Sequence, residues 1–189
     1  MGRMEHRVIL HVPPLCWITA FKPYLVEILK ACLPPVFAPD AKLLILGSLP
    51  GERSLARQQY YAHPRNQFWD LLDSIFHSNL RQLEYDARMA ALKDMGIALW
   101  DVVAQAEREG SLDGQLRLSE ANDLSRLLEQ LPELKAVAFN GGTAFKIAMK
   151  DAQKFSHLVT FALPSSSPAY TLAFASKLQK WSVLEHYRG

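Results

Sequence analysis

A chain of 189 residues that is 49% hydrophobic has room for one domain with a sizeable core and is short for two. With 21 Lys and Arg against 19 Asp and Glu its formal net charge is +2, which permits nucleic-acid contact and excludes a polybasic tail. Its two cysteines, Cys16 and Cys32, can supply neither an iron–sulfur cluster nor an all-cysteine zinc site, and they make no disulfide framework.

Residues 1–32 read as an irregular lead-in, interrupted by prolines, with one short helix near "YLVEILKACL"; no function is assigned to them. Their basic start and apolar run faintly resemble a secretion signal, but His11 and the Pro13-Pro14 pair break the run and no cleavage site follows. No stretch reaches the roughly 18–20 apolar residues of a membrane span, so a soluble cytoplasmic protein without a membrane partner is expected. From residue 33 to 189 the chain alternates. A strand at "KLLILG" (42–47) precedes helical patterns at "NQFWDLLDSIF" and "LEYDARMAALKDM". Further strands at "IALWDVV" (97–103), "KAVAFN" (135–140) and "HLVTFAL" (157–163) alternate with helical patterns at "SEANDLSRLLEQL" and "GTAFKIAMKDAQKF", and an amphipathic stretch, "YTLAFASKLQKWSVLEHY", closes the chain. Alternation of this kind predicts a three-layer α/β/α sandwich around a central, mostly parallel sheet. Ligands bind beyond the carboxyl ends of such strands, so the loops after Gly47, Val103, Asn140 and Leu163 should share one rim.

Three of those loops carry unusual residues. "GSLPGERS" (47–54) follows a buried strand, and its glycines let the backbone turn and approach a ligand with amide donors outward. It lacks the Gly-Lys-Ser/Thr ending of a nucleotide P-loop, and a plain turn explains it equally well. In "YYAHPRNQFW" (60–69), Phe68 and Trp69 suit the apolar stripe of a helix, whereas Tyr60 and Tyr61 stand in a loop without periodicity and are candidates for stacking on a base. Asn66 suits a cap on a helix beginning at Gln67 as well as it suits a catalytic amide, and His63 suits a bond to a backbone carbonyl or a phosphate contact. "LPSSSPAYT" (163–171) sets short hydroxyl groups between prolines, a stiff loop able to hold phosphates or simply to turn into the last helix. "NGG" (140–142) is a strand-to-helix turn on its own terms. The chain has no HExxH, Cys-x-x-Cys or Gly-x-Ser-x-Gly pattern and no obvious metal set, which favours chemistry without a metal or other cofactor.

Taken together, "GSLPG", "YYAHPRNQFW" and "LPSSSP" at their spacing resemble the motif regions of the uracil-DNA glycosylase superfamily. With "LPPVFAPDAKLLILGSLPG" and "GIALWDVV…REGSLD" the pattern is most similar to its hypoxanthine-DNA (deoxyinosine) glycosylase branch, over about residues 33–188. The resemblance implies the three-layer fold and a hydrolase that frees a deaminated base from damaged DNA; since no lysine stands in a motif that suggests a Schiff base, a monofunctional enzyme is expected, and a monomer. Residue by residue it implies Asn66 as the catalytic amide and Tyr61 as the ring stacked on the flipped base. The main chain of Gly47, Ser48, Leu49, Pro50 and Gly51, with His63 and Asn140, would form the base pocket. Ser165, Ser166 and Ser167 with Tyr170 would contact the DNA. Two positions depart from the superfamily pattern: Leu49 stands where the mismatch-specific branch has a water-activating asparagine, and Leu163 replaces the histidine or asparagine opening the second motif. The apolar wedge of that loop is also missing, Ser167 standing in its place with Tyr170 a possible substitute. These departures keep open a broader uracil or xanthine glycosylase, a non-catalytic nucleic-acid-binding domain, and an enzyme of free nucleotides. "REGSLDG", with Arg108 and Asp113, lines the rim or braces a loop.

Overall fold

The computed structural model describes residues 29–107, 110–115 and 117–189. Most of the lead-in, Cys16 and Arg108 lie outside the described residues. Apolar β2 (Leu43–Gly47) is buried along its whole length and is flanked on both sides by parallel partners, β3 (Ile97–Asp101) and β6 (Ala136–Asn140). β7 (Val159–Leu163) pairs in parallel with β6, giving a four-stranded sheet in the order β3-β2-β6-β7. Continuous apolar runs are what such strands require, because helices cover both faces.

The pleat divides the core in two. Leu43, Ile45, Ile97, Leu99, Ala136 and Ala138 face α2 (Phe68–Phe76), α3 (Tyr85–Asp94) and α6 (Phe174–Trp181), whose Phe68, Leu71, Leu72, Leu92 and Trp181 are fully buried or nearly so. On the opposite face Leu44, Leu46, Ala98, Val137 and Phe139 meet α4 (Leu124–Leu128), α5 (Gly142–Ala148) and Phe155. Each of these large side chains contributes about 1.5–3 kcal/mol by leaving water. The three-layer expectation therefore holds.

Several boundaries differ from the sequence reading. The strand expected over 97–103 ends at Asp101, since Val102 and Val103 donate their amides across to the Gly47 and Ser48 carbonyls at 2.9 and 3.1 Å. Val103 instead opens β4 (Val103–Glu107), which pairs antiparallel with β1 (Leu29–Ala31) and β5 (Arg117–Ala121) in a second, three-stranded sheet. Hence the end of the "YLVEILKACL" stretch is strand rather than helix, and the start of "SEANDLSRLLEQL" is strand before α4. Asp123 starts that short helix by accepting from the Arg126 amide. The segment after Gly51, expected as loop, folds into α1 (Glu52–Arg57). The helix expected over 142–155 keeps α-geometry only to Ala148, then tightens to a 3₁₀ run, Met149–Phe155, broken at Asp151. β2, β6 and β7 all point the same way, so Gly47, Asn140 and Leu163 end on one rim beside Asp101.

Candidate active site

That rim encloses a cleft of about 840 Å³ lined by the 47–54, 111–114, 140–143 and 165–170 segments together with Tyr60, Tyr61, His63, Asn66, Asp101 and Lys146. Its floor is set by a close approach at Gly47. A Cβ there would lie 2.5 Å from Asp101 Oδ1 and 3.1 Å from the Tyr61 hydroxyl, so only glycine fits. The buried carboxylate of Asp101 is 3% exposed, and the Asn122 amide holds its carbonyl at 2.8 Å.

Tyr61 carries backbone strain at φ +52°, in a loop and not at a helix end, a conformation rare for so bulky a residue. One face of its ring stacks on Phe68 at 3.7 Å and 16°, leaving the other for the cleft. Its hydroxyl is buried with no aligned hydrogen bond among the described residues. Burial, then the Asp101 carboxylate, holds that phenol protonated far above its ordinary range, while the nearby Asn140 amide acts in the opposite sense. Strain and an unsatisfied hydroxyl are costs that packing alone does not offset. Tyr60 is different: it is 3% exposed, and its hydroxyl reaches the Leu33 and Pro34 carbonyls, so this ring belongs to the core and is not available to stack on a base.

The "HPRN" segment is a tight turn in which the Asn66 amide donates to the His63 carbonyl at 2.8 Å. Asn66 Oδ1 accepts from the Phe68 amide at 3.0 Å, so it takes up a free first-turn amide as anticipated, although the helix starts one residue later than expected and its N-cap position is Gln67. Only the amide oxygen is used in that bond, and the residue lines the cleft, half-buried. Arg81 braces the turn from behind: its guanidinium donates to the Pro64 carbonyl at 2.8 Å and to Asp70 at 2.7 Å. His63 Nδ1 accepts from the Arg65 amide at 3.1 Å. Desolvation and the Arg53 and Arg65 cations lower its proton affinity and favour the neutral ring.

The loop after β7 is locked to β6. Asn140 Nδ2 donates to Ser166 Oγ at 2.9 Å, and the Ser166 amide returns a 2.8 Å bond to Asn140 Oδ1. Ser166 is fully buried, so its hydroxyl is part of the wall and is not offered to a phosphate as expected from sequence. Ser165 and Ser167 are half-buried and line the cleft. Their oxygens accept from the Ser167 and Ala169 amides at 3.2 and 3.3 Å, which shapes the loop and keeps each O–H as a donor. Gly141, at φ +103°, passes so close to Ser165 that a side chain would meet its Cβ at 3.1 Å. Tyr170 is 48% exposed. Its carbonyl takes a 2.8 Å bond from Lys177, which is 1% exposed and also donates to Gln67 Oε1 at 2.8 Å, so α6 ties this loop to the residue beside Asn66. Desolvation lowers the proton affinity of that lysine.

The fourth wall was the least legible. Ser48 donates its hydroxyl to both oxygens of Asp113 at 2.8 Å, and Ser111 Oγ accepts from the Glu52 amide at 3.0 Å. "GSLDG" is therefore part of the cleft, which settles the position of Asp113 though Arg108 falls outside the described residues. Leu49 and Leu163 are each 6% exposed and pack in the core, Leu49 also reaching the cleft wall with Pro50 and Gly51. Sequence reasoning missed Asp101, Arg53 and Lys146. The only signal for Asp101 was a carboxylate inside an apolar strand; nothing distinguishes Arg53 or Lys146 from other surface cations.

Comparison with known proteins places the whole chain beside this geometry. The family profile described as the uracil DNA glycosylase superfamily matches residues 34–188. A Methanosarcina barkeri protein named hypoxanthine DNA glycosylase is 46% identical over 112 residues, 59% of this chain and 71% of its own. A Methanosarcina acetivorans protein of the same name is 35% identical over 156 residues, 82% of this chain and 98% of its own. A solution NMR structure of a candidate uracil DNA glycosylase from M. acetivorans superposes with a TM-score of 0.75 at 35% identity, covering 84% of this chain and 97% of that one. With residues 34–188 covered by the family profile, the chain belongs to the uracil DNA glycosylase superfamily.

Proposed function

We propose that this protein is a monofunctional DNA glycosylase that hydrolyses the N-glycosidic bond of a deaminated base, hypoxanthine foremost. The observation that carries the reading is the placement of Asn66 in the wall of the same cleft as Tyr61, whose backbone is strained, supported by two relatives named for hypoxanthine. The base must leave the stack before the bond can be reached, at a cost of a few kcal/mol that is least for a mispaired base. A cleft of this size accepts one purine, and Tyr61 offers its free face for stacking.

As the bond between C1′ and N9 breaks, its electron pair leaves on the purine and positive charge grows on the sugar. Water then adds to C1′ and gives up a proton, and the purine departs protonated. Asn66 is an amide and cannot act as a base at neutral pH, so its part is to orient that water or the base through the NH₂ group that its bond to the Phe68 amide leaves over. Main-chain donors of the 48–51 turn would receive charge developing on the base oxygen, with Asn140 and His63 shaping the pocket. Asp113 suits the N1–H that hypoxanthine presents, because a carboxylate accepts where an amide hydrogen would clash.

Ser165, Ser167 and Tyr170, with the Arg53 and Lys146 cations, would contact DNA around the mouth. We take residues 33–189 as the glycosylase unit, with β1 extending its smaller sheet, and place it as a cytoplasmic monomer. Assays of base release from duplexes containing deoxyinosine, deoxyuridine or deoxyxanthosine test the reading. Release of hypoxanthine supports it; release of uracil or xanthine alone would move the substrate. Lys146 lines the cleft, so borohydride trapping is the check on monofunctionality, and a covalent DNA complex would refute it.

A further inference from the structure

Among the described residues, five large hydrophobic side chains are markedly exposed, and only two of them, Leu112 at 51% and Tyr170 at 48%, line the cleft. A single exposed leucine means little by itself. The surroundings of Leu112 give it meaning. The residues beside it are each fastened to the rim: Lys30 donates to the Gly110 carbonyl at 2.7 Å, Ser111 Oγ accepts from the Glu52 amide at 3.0 Å, and Asp113 accepts from Ser48 at 2.8 Å. Lys30 also pairs with Glu52 at 3.0 Å, so the loop is bound to α1 and to β1 together. A loop anchored on both sides of one residue, holding an aliphatic side chain out at the mouth, is a rigid mount for that side chain.

We propose that Leu112 is the wedge that enters the duplex as the damaged base leaves it. The proposal rests on the DNA glycosylase reading above. Proteins that unstack duplex DNA insert leucine and similar apolar side chains between base steps, which fills the vacated space and keeps the base from returning. Tyr170 is less suited, because its ring carries the ammonium of Lys177 5.4 Å from the centroid. The wedge thus comes from the loop between β4 and β5, not from the serine loop after β7.

The test compares single-turnover release of hypoxanthine from paired duplex with release from a substrate whose deoxyinosine is already unpaired in a bulge. In Leu112→Ala the ratio of duplex to bulge rates should fall about tenfold or more, and Leu112→Phe should restore it; Tyr170→Ala should leave the ratio near the wild-type value. In an Asn66→Ala background, the fluorescence of 2-aminopurine next to deoxyinosine should rise on binding when Leu112 is present and stay low in Leu112→Ala. Equal loss on both substrates, an unchanged ratio, or a ratio that falls only in Tyr170→Ala would overturn the assignment. If the wild-type protein releases no base from either substrate, the glycosylase reading fails first and the wedge with it.

Discussion

Gly47 shows how one residue sets the floor of the cleft. Adding a methyl group drives it against the Tyr61 hydroxyl and the carboxylate of Asp101, which is buried at the end of the sheet. Gly47→Ala should therefore lose about 1–3 kcal/mol of stability, seen as a lower melting temperature, and displace Tyr61 from its ring contact. A melting temperature unchanged from wild type would mean that this approach is looser than described. His63 makes a separate prediction. Burial, Arg53 and Arg65 lower its pKa in the fold, so the stability linked to its neutral ring is present above the ordinary histidine pKa and is lost as pH falls through that value to the folded one. The side chain is only partly covered, so the readout is NMR titration and not unfolding. Its imidazole should titrate below the ordinary histidine value and move upward in Arg53→Ala; a midpoint at or above that value would contradict the charge arrangement.

At the scale of elements, the loop after β7 depends on its lock to β6. Ser166→Ala leaves Asn140 Nδ2 without its acceptor inside the wall, a loss of about 1–3 kcal/mol, and amide exchange should accelerate across 164–170 while the sheet stays protected. Uniform exchange rates across that loop in wild type and variant would show that the lock does not hold it. Elements built on long apolar runs, β2, β6 and α2, were legible because burial on a sheet face demands such runs. The second sheet was not, since the polar residues of β4 and β5 carry no apolar periodicity and pair only because the chain turns back after Val102. Short α1 was hidden for a related reason: its six residues carry too little pattern to separate it from a turn.

At the scale of the whole molecule, parallel strands bring residues from distant parts of the chain to one rim, and this placement made half of the site readable in advance. The 47–51 turn and the loops opening at Asn140 and Leu163 were legible because they follow parallel strands where α/β proteins bind ligands, whereas the parts expected of Asn66, Tyr61 and Asn140 came from the resemblance to the glycosylase motifs. Asp101 arrives there at the end of parallel β3, Asp113 and Leu112 arrive through the antiparallel extension, which sequence alone did not reveal, and Ser166 turned inward because Asn140 offers it both a donor and an acceptor. The central claim is that this rim cleaves a glycosidic bond with Asn66 as its amide. The most direct test is single-turnover hypoxanthine release by wild type and Asn66→Ala, with DNA affinity and unfolding measured alongside. The account predicts a fall of at least about 100-fold in rate, with DNA affinity retained and stability lower by about 1 kcal/mol from the lost bond to the Phe68 amide. Release by Asn66→Ala at close to the wild-type rate would contradict it.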